Sequence, residues 1–196
     1  MREKLADELN AEFTEKEIIE VLRDLASRFK DKMVFTTSFG IEDQVITDMI
    51  FKNDIPVKVI TLDTGRLFEE TYKVYSRTLE QYNKPIYAYY PDAGQLEKFV
   101  TEKGPNSFYL SVENRKMCCH IRKVEPLGRA LSGMSCWVTG IRASQSQNRE
   151  NMNFFEWDDT FAVVKYNPLL KWSLEDCREY VKTNHVPYNV LHDRGF

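Results

Sequence analysis

Met33-Val34-Phe35-Thr36-Thr37-Ser38-Phe39-Gly40 runs straight into Ile41, Val45, Ile46, Met49 and Ile50, and after Pro56 comes Val57-Lys58-Val59-Ile60-Thr61-Leu62. The first run is short, apolar and β-branched, and a glycine ends it, as expected of a buried strand. The next apolar residues recur at helical spacing. The third run is again of the strand type. Strand, helix and strand in this order form a crossover unit, and crossover units build parallel sheets covered on both faces.

The pattern continues outward. Asp63-Thr64-Gly65 is a turn, and Phe68, Tyr72, Tyr75, Leu79 and Tyr82 lie on one helical face. Ile86-Tyr87-Ala88-Tyr89-Tyr90, Cys136-Trp137-Val138-Thr139 and Phe161-Ala162-Val163-Val164 give three more strands. Helices are predicted over 94–103 and 116–131, and a last one is opened by Ser173 as its cap and carries Leu174, Cys177 and Val181. Upstream, Thr14 and Glu17 fit a capping box for a helix carrying Ile18, Leu22, Leu25 and Phe29. The expectation is one α/β domain over 1–196, a mostly parallel sheet flanked by helices, with residues 1–30 as an N-terminal helical segment. In such sheets ligands sit beyond the carboxyl ends of the strands. That rule selects four loops: Ser38–Asp43, Asp63–Arg66, Tyr90–Gly94 and Gly140–Arg149.

Composition sets limits. The 196 residues make one domain rather than two, and 42% apolar with 29% charged residues is ordinary for a globular chain. No apolar run approaches the ~20 residues of a membrane span, and the charged start Met1-Arg2-Glu3-Lys4 is not a secretory signal. A net charge of −3 argues against a general nucleic-acid binder. Four cysteines, at 118, 119, 136 and 177, without an export signal predict a reducing, cytoplasmic setting.

Five segments could carry chemistry. Ser38-Phe39-Gly40-Ile41-Glu42-Asp43 is either an anion loop at a helix N-terminus or a plain strand–helix turn; it lacks the Gly-Lys-Ser/Thr ending of a Walker loop. In Leu62-Asp63-Thr64-Gly65-Arg66, Asp63 and Thr64 could hydrogen-bond a ribose or base edge, but taken alone a turn closed by the Asp side chain with Gly65 at positive φ is the simpler reading. From Arg115 to Arg129 there are five basic residues and one acid, surrounding the adjacent Cys118-Cys119. On a regular helix Cys118 shares a face with Arg122, and Cys119 with Lys123. Nearby cations favour the thiolate, which is both a nucleophile and a metal ligand; two buried cysteines on an amphipathic helix are the alternative. A cluster wants about four ligands, so this pair is half a site. Arg142 and Arg149 stand in a polar loop suited either to binding phosphate or sulfate or to plain solvation. The fifth segment is the ending, Lys165-Tyr166-Asn167-Pro168-Leu169-Leu170-Lys171-Trp172 and His185-Val186-Pro187-Tyr188-Asn189-Val190-Leu191-His192-Asp193-Arg194-Gly195-Phe196, whose last stretch is polar, aromatic and rich in turn residues.

Taken in order, Ser-Phe-Gly-x-Glu-Asp, Leu-Asp-Thr-Gly-Arg-Leu-Phe, Cys-Cys-x-x-Arg-Lys-Val-x-Pro-Leu and Val-Pro-Tyr-Asn-x-Leu-His-Asp-Arg-Gly resemble the adenylyl-sulfate / phosphoadenylyl-sulfate reductase family, within the adenine-nucleotide alpha-hydrolase fold. The resemblance runs from Phe35 to Phe196. It implies that Ser38, Phe39, Gly40, Glu42 and Asp43 hold the sulfonucleotide and that Asp63, Thr64 and Gly65 lie at the nucleoside. Lys123, Arg142 and Arg149 would neutralise the phosphosulfate. Cys118 and Cys119 would be two ligands of a [4Fe-4S] cluster, and that pair favours adenylyl sulfate over its 3′-phosphorylated relative. The implied reaction is thiol-dependent reduction of adenylyl sulfate to sulfite and AMP in sulfate assimilation, with thioredoxin or a similar thiol donor as partner and self-association as in other family members. The alternatives are a phosphoadenylyl-sulfate reductase or a catalytically incomplete nucleotide-binding fragment. The family's Cys-x-x-Cys and its Glu-Cys-Gly-Leu-His tail do not occur by Phe196. The expectation is therefore a chain lacking its C-terminal end, inactive as it stands.

Overall fold

The computed structural model describes residues 2–146, 149 and 152–195. Its strands are β1 (Met33–Thr37), β2 (Lys58–Leu62), β3 (Tyr87–Tyr89), β4 (Cys136–Val138), β5 (Phe155–Asp158) and β6 (Val163–Tyr166). They form one sheet in the order β3-β2-β1-β4-β6-β5. Pairing is parallel throughout except between β5 and β6, which are antiparallel. β1 sits centrally, and its Met33, Val34 and Phe35 are fully buried. The mostly parallel, helix-flanked α/β fold read from the sequence is the observed one.

The helices are α1 (Arg2–Phe13), α2 (Ile18–Phe29), α3 (Ile41–Lys52), α4 (Glu69–Tyr82), α5 (Ala93–Lys103), α6 (Val112–Cys119), α7 (Glu125–Leu131) and α8 (Leu174–Asn184). The predicted cap of α8 is present: Ser173 Oγ accepts from the Asp176 amide at 3.1 Å, and Asp176 returns the bond to the Ser173 amide at 2.7 Å. The predicted capping box at Thr14 is not. Glu17 holds the N-cap position of α2 without a side-chain bond, and the Thr14 hydroxyl donates back to the Asn10 carbonyl. Thr14 therefore ends α1, a helix that the sequence pattern did not separate from α2.

Two further differences have local causes. The expected strand over 161–164 begins two residues later, because Phe161 and Ala162 close a turn in which the Phe161 amide donates to Asp158 Oδ1 and Ala162 has φ 54°. That turn pairs β6 with the unpredicted β5. The exposed edge of β5 is covered by α1: Asn10 accepts from the Phe155 amide at 3.0 Å and donates to its carbonyl at 2.8 Å. Such covering protects an edge strand from pairing with another chain.

The predicted helix over 116–131 is interrupted. Between α6 and α7 lies one π-helical turn, His120–Val124, in which the Glu125 amide donates to the His120 carbonyl five residues back. Among the described residues no helix is long and apolar enough to cross a membrane.

Candidate active site

The carboxyl ends of β1, β2 and β4 open onto a cleft made of two adjoining cavities, of about 430 and 500 Å³. Ser38, Thr64, Leu67 and Lys123 line both. Three of the four loops selected from the sequence take part. The Tyr90–Gly94 loop lines neither cavity; Asp92 instead caps α5 through the Gln95 amide at 2.9 Å. The helical segment from Arg115 to Leu127 takes its place. Gln147 and Asn148 of the fourth loop lie outside the described residues.

The first loop is built differently from expectation. Gly40 has φ −67°, and Phe39 takes the left-handed conformation at φ 61°. Its amide donates to Thr37 Oγ1 at 3.0 Å, and its ring is buried and stacks on Tyr75 at 4.7 Å. Phe39 thus shapes the loop from the core, and its side chain does not reach the cleft. Asp43 turns back from α3 and accepts from both the amide and the hydroxyl of Ser38, each at 2.6 Å. Burial pushes the Asp43 carboxyl up to about 6, against the pull of the two Ser38 bonds, with Glu42 adding a little in the same direction. Gly140, at the end of β4, packs against this carboxylate so closely that a Cβ there would stand 2.0 Å from Asp43 Oδ1. Asp43 and Gly140 therefore brace the loop jointly.

Asp63 and Gly65 form the turn that the sequence offered as the simpler alternative. Gly65 has φ 67°, its amide donates to Asp63 Oδ1 at 2.8 Å, and the Tyr72 hydroxyl donates to the same carboxylate at 2.9 and 3.0 Å. Asp63 is buried with these partners, so of this group only Thr64 lines the cleft.

The arginines divide. Arg142 is buried, and its Nε donates to Glu42 Oε1 at 2.8 Å. Gln145 donates to the same Glu42 oxygen at 3.0 Å, and Arg142 Nη1 donates to Ser144 Oγ at 2.6 Å. Neither Glu42 nor Arg142 lines the two cavities. The pair is a brace between α3 and the loop after β4. Arg149 does line the cleft, where its Nη1 donates to Gln145 Oε1.

The 3–4-residue spacing of the basic run is kept through the π turn, and Arg115, Cys118, Cys119, Arg122 and Lys123 line one cavity wall. Arg122 is buried, donates to the Thr64 carbonyl, and leaves its Nε without a hydrogen-bond partner among the described residues. No carboxylate among the described residues pairs with it. A buried guanidinium without a counter-ion is costly unless an anion completes its shell. Around the whole cleft the charged lining is Arg66, Arg115, Arg122, Lys123 and Arg149 against the single carboxylate of Asp43. In a chain of net charge −3, this is a concentrated positive field suited to a polyanion. Arg66, Arg115 and Arg122 were not singled out as ligand groups from the sequence, although the last two belong to its basic run.

Cys118 is half-buried and Cys119 exposed, both facing the cleft. A [4Fe-4S] cluster takes about four thiolates. Among the described residues no group of three or more His, Cys, Asp or Glu side chains could hold a metal. These residues therefore offer half a ligand set and do not by themselves fit a cluster. Cys136 and Cys177 are fully buried, and burial raises both thiols, that of Cys177 to about 12. Neither lines the cleft.

Residues 32–196 match the phosphoadenosine phosphosulfate reductase domain. The adenosine 5′-phosphosulfate reductase of Sinorhizobium fredii (strain USDA 257) is 48% identical over 165 residues, which cover 84% of this chain and 66% of that protein. The enzyme of the same name from Rhizobium meliloti (strain 1021) is 45% identical over 88% of this chain and 68% of its own. The chain thus spans about two thirds of the length of these curated relatives. A phosphoadenylyl-sulfate reductase from Candida auris, solved as a phosphate complex, superposes with a TM-score of 0.82 at 30% identity, covering 97% of this chain and 91% of that one. An NMN synthetase from Francisella tularensis, 14% identical with a TM-score of 0.61 over 95% of this chain and 73% of that one, shares the fold alone. Together with the cationic cleft at the carboxyl edge of the sheet, the match across residues 32–196 shows that this chain belongs to the phosphoadenosine phosphosulfate reductase domain family.

Proposed function

We propose that the protein reduces adenylyl sulfate to sulfite and AMP with electrons from thiols. The observation that carries this reading is the buried Arg122, without a carboxylate partner among the described residues, in a cleft lined by five cations and one carboxylate. A phosphosulfate mixed anhydride fits such a field. Adenylyl sulfate is favoured over its 3′-phosphorylated relative because the relatives named for it are 41–48% identical, whereas the phosphoadenylyl-sulfate reductase of Candida auris is 30% identical.

In the proposed reaction a cysteine thiolate attacks the sulfur of the bound sulfonucleotide. The sulfur–oxygen bond to the phosphate breaks, and AMP leaves with the bridging oxygen. The product is an S-sulfocysteine. A second thiol, from thioredoxin or a similar donor, attacks its sulfenyl sulfur, so that sulfite leaves and a disulfide forms. The two thiols supply the two electrons. Lys123, Arg122 and Arg149 stabilise the charge that builds on the departing phosphate. Arg142 acts through Glu42, by holding the loop. Cys136 and Cys177 are buried and do not line the cleft, and the family resemblance places the attacking thiolate on a cysteine other than Cys118 and Cys119. By the family resemblance these two would supply half of an iron–sulfur site, with the remaining thiolates coming from outside the described residues, and no step is routed through it.

The test is to follow sulfite and AMP release by the complete gene product given adenylyl sulfate and a reduced thiol donor. Stoichiometric sulfite supports the proposal. Binding without sulfite points to a nucleotide-binding module, and preference for the 3′-phosphorylated nucleotide in competition reassigns the substrate.

A further inference from the structure

Helix α3 begins without a cap of its own. Its N-cap residue is Gly40, which has no side chain to accept the first free amides of the helix. Asp43, the short polar side chain of the first turn, faces the other way and is held on Ser38. The Ile41 amide is nevertheless satisfied: it donates to Nε2 of His192 at 3.1 Å, 151 residues further along the chain.

We infer that His192 is a positioning residue for the substrate loop. It closes the open end of α3 and so fixes the Ser38–Asp43 turn, of which Ser38 and Asp43 line the cleft. The inference rests on the reading of that loop as part of the nucleotide site.

The segment that carries His192 is firmly placed for this task. Gln44 of α3 donates to the Pro187 carbonyl at 2.7 Å. Asn189 donates to Thr71 Oγ1 of α4 at 3.2 Å and accepts from the Leu191 amide at 3.1 Å, opening the 3-10 turn Val190–Arg194. Leu191 is buried, and Arg194 pairs with Glu70 at 3.4 Å. These bonds hold the imidazole against the end of α3 from two sides. Because Nε2 accepts, it carries no proton, and the ring proton sits on Nδ1. Nucleotide binding and docking of the 187–194 segment are thereby coupled at the N-terminus of α3 through the Ile41–His192 bond.

The experiment compares wild type with His192→Ala, His192→Phe and His192→Gln. It reads the affinity for adenylyl sulfate, the melting temperature and the exchange rate of the Ile41 amide. Ala and Phe should weaken binding about five-fold, the worth of one neutral hydrogen bond, and speed Ile41 exchange. Gln, whose Oε1 can accept, should restore both, and the Phe variant should keep its melting temperature near that of wild type. Equal affinity in all four proteins, or loss in Gln as large as in Phe, overturns the inference. Failure of wild type itself to bind would instead remove the functional reading on which it rests.

Discussion

Substituting Gly140 by Ala should unlatch the substrate loop. Glycine-to-alanine changes at compatible sites stabilise by about 0.4–1 kcal/mol, because the unfolded chain loses freedom. Gly140 has no left-handed backbone to forbid alanine, so a purely local argument predicts a gain. The structure predicts the reverse. The new Cβ would stand 2.0 Å from Asp43 Oδ1 and 3.2 Å from its Cγ, so the carboxylate must swing off Ser38. Two hydrogen bonds at 2.6 Å are then lost. Bonds to an ionised group contribute about 1.5–3 kcal/mol each. Water in the open cleft can re-pair with the displaced carboxylate, which puts the expected loss near the lower end of that sum, about 3 kcal/mol. For a domain of this size that is a fall of about 6–12 °C in melting temperature. The assay is thermal unfolding of Gly140→Ala, Asp43→Ala and the double variant. With Asp43 already truncated, Gly140→Ala should cost little, so the cycle should show a coupling of about 2 kcal/mol or more. A melting temperature unchanged or raised in Gly140→Ala, or strict additivity in the double variant, refutes the steric latch.

Three further outcomes are expected. The Asp43 carboxyl is raised by burial from 3.8 to about 6, so the folded state holds its proton more tightly than the unfolded one. Its favourable contribution is complete below pH ~4 and is lost as pH rises through ~6, an effect of about 3 kcal/mol; Asp43→Asn should flatten denaturant-derived stability across that window, and an unchanged slope counts against the burial of this charge. Lys123→Ala removes the cation shared by both cavities and should weaken adenylyl sulfate binding about tenfold at low salt, with a shallower salt dependence; equal binding and equal single-turnover sulfite release in both proteins would exclude a charge-stabilising role. Replacing Cys118 and Cys119 together by Ser in the complete gene product, purified without oxygen, should abolish bound iron and acid-labile sulfide; retention of both would show that the pair is not a ligand set.

The sheet was legible because its strands are short apolar runs separated by amphipathic helices, and Met33–Thr37 followed by α3 already dictates a crossover. Elements that depend on distant partners were not. β5 exists because Phe155 is gripped by Asn10 and paired with β6, which no local pattern encodes. The π turn at His120–Val124 looks like ordinary helix in sequence, and nothing local marks the burial of its Arg122 against the Thr64 carbonyl, 58 residues away in the chain. The loop glycine was visible, but the left-handed residue is Phe39, held by stacking on Tyr75. Charge alone could not separate the arginines. Arg149 faces the cleft while Arg142 is bound to Glu42, and only the fold determines which is free to meet an anion.

Calorimetric titration of the protein with adenylyl sulfate at two ionic strengths decides whether the cleft binds a sulfonucleotide through its excess of cations. One saturable site is expected, with an affinity that falls as salt rises and no competition from uncharged adenosine at the same concentration. Absence of binding, or binding indifferent to salt and matched by adenosine, would contradict that reading.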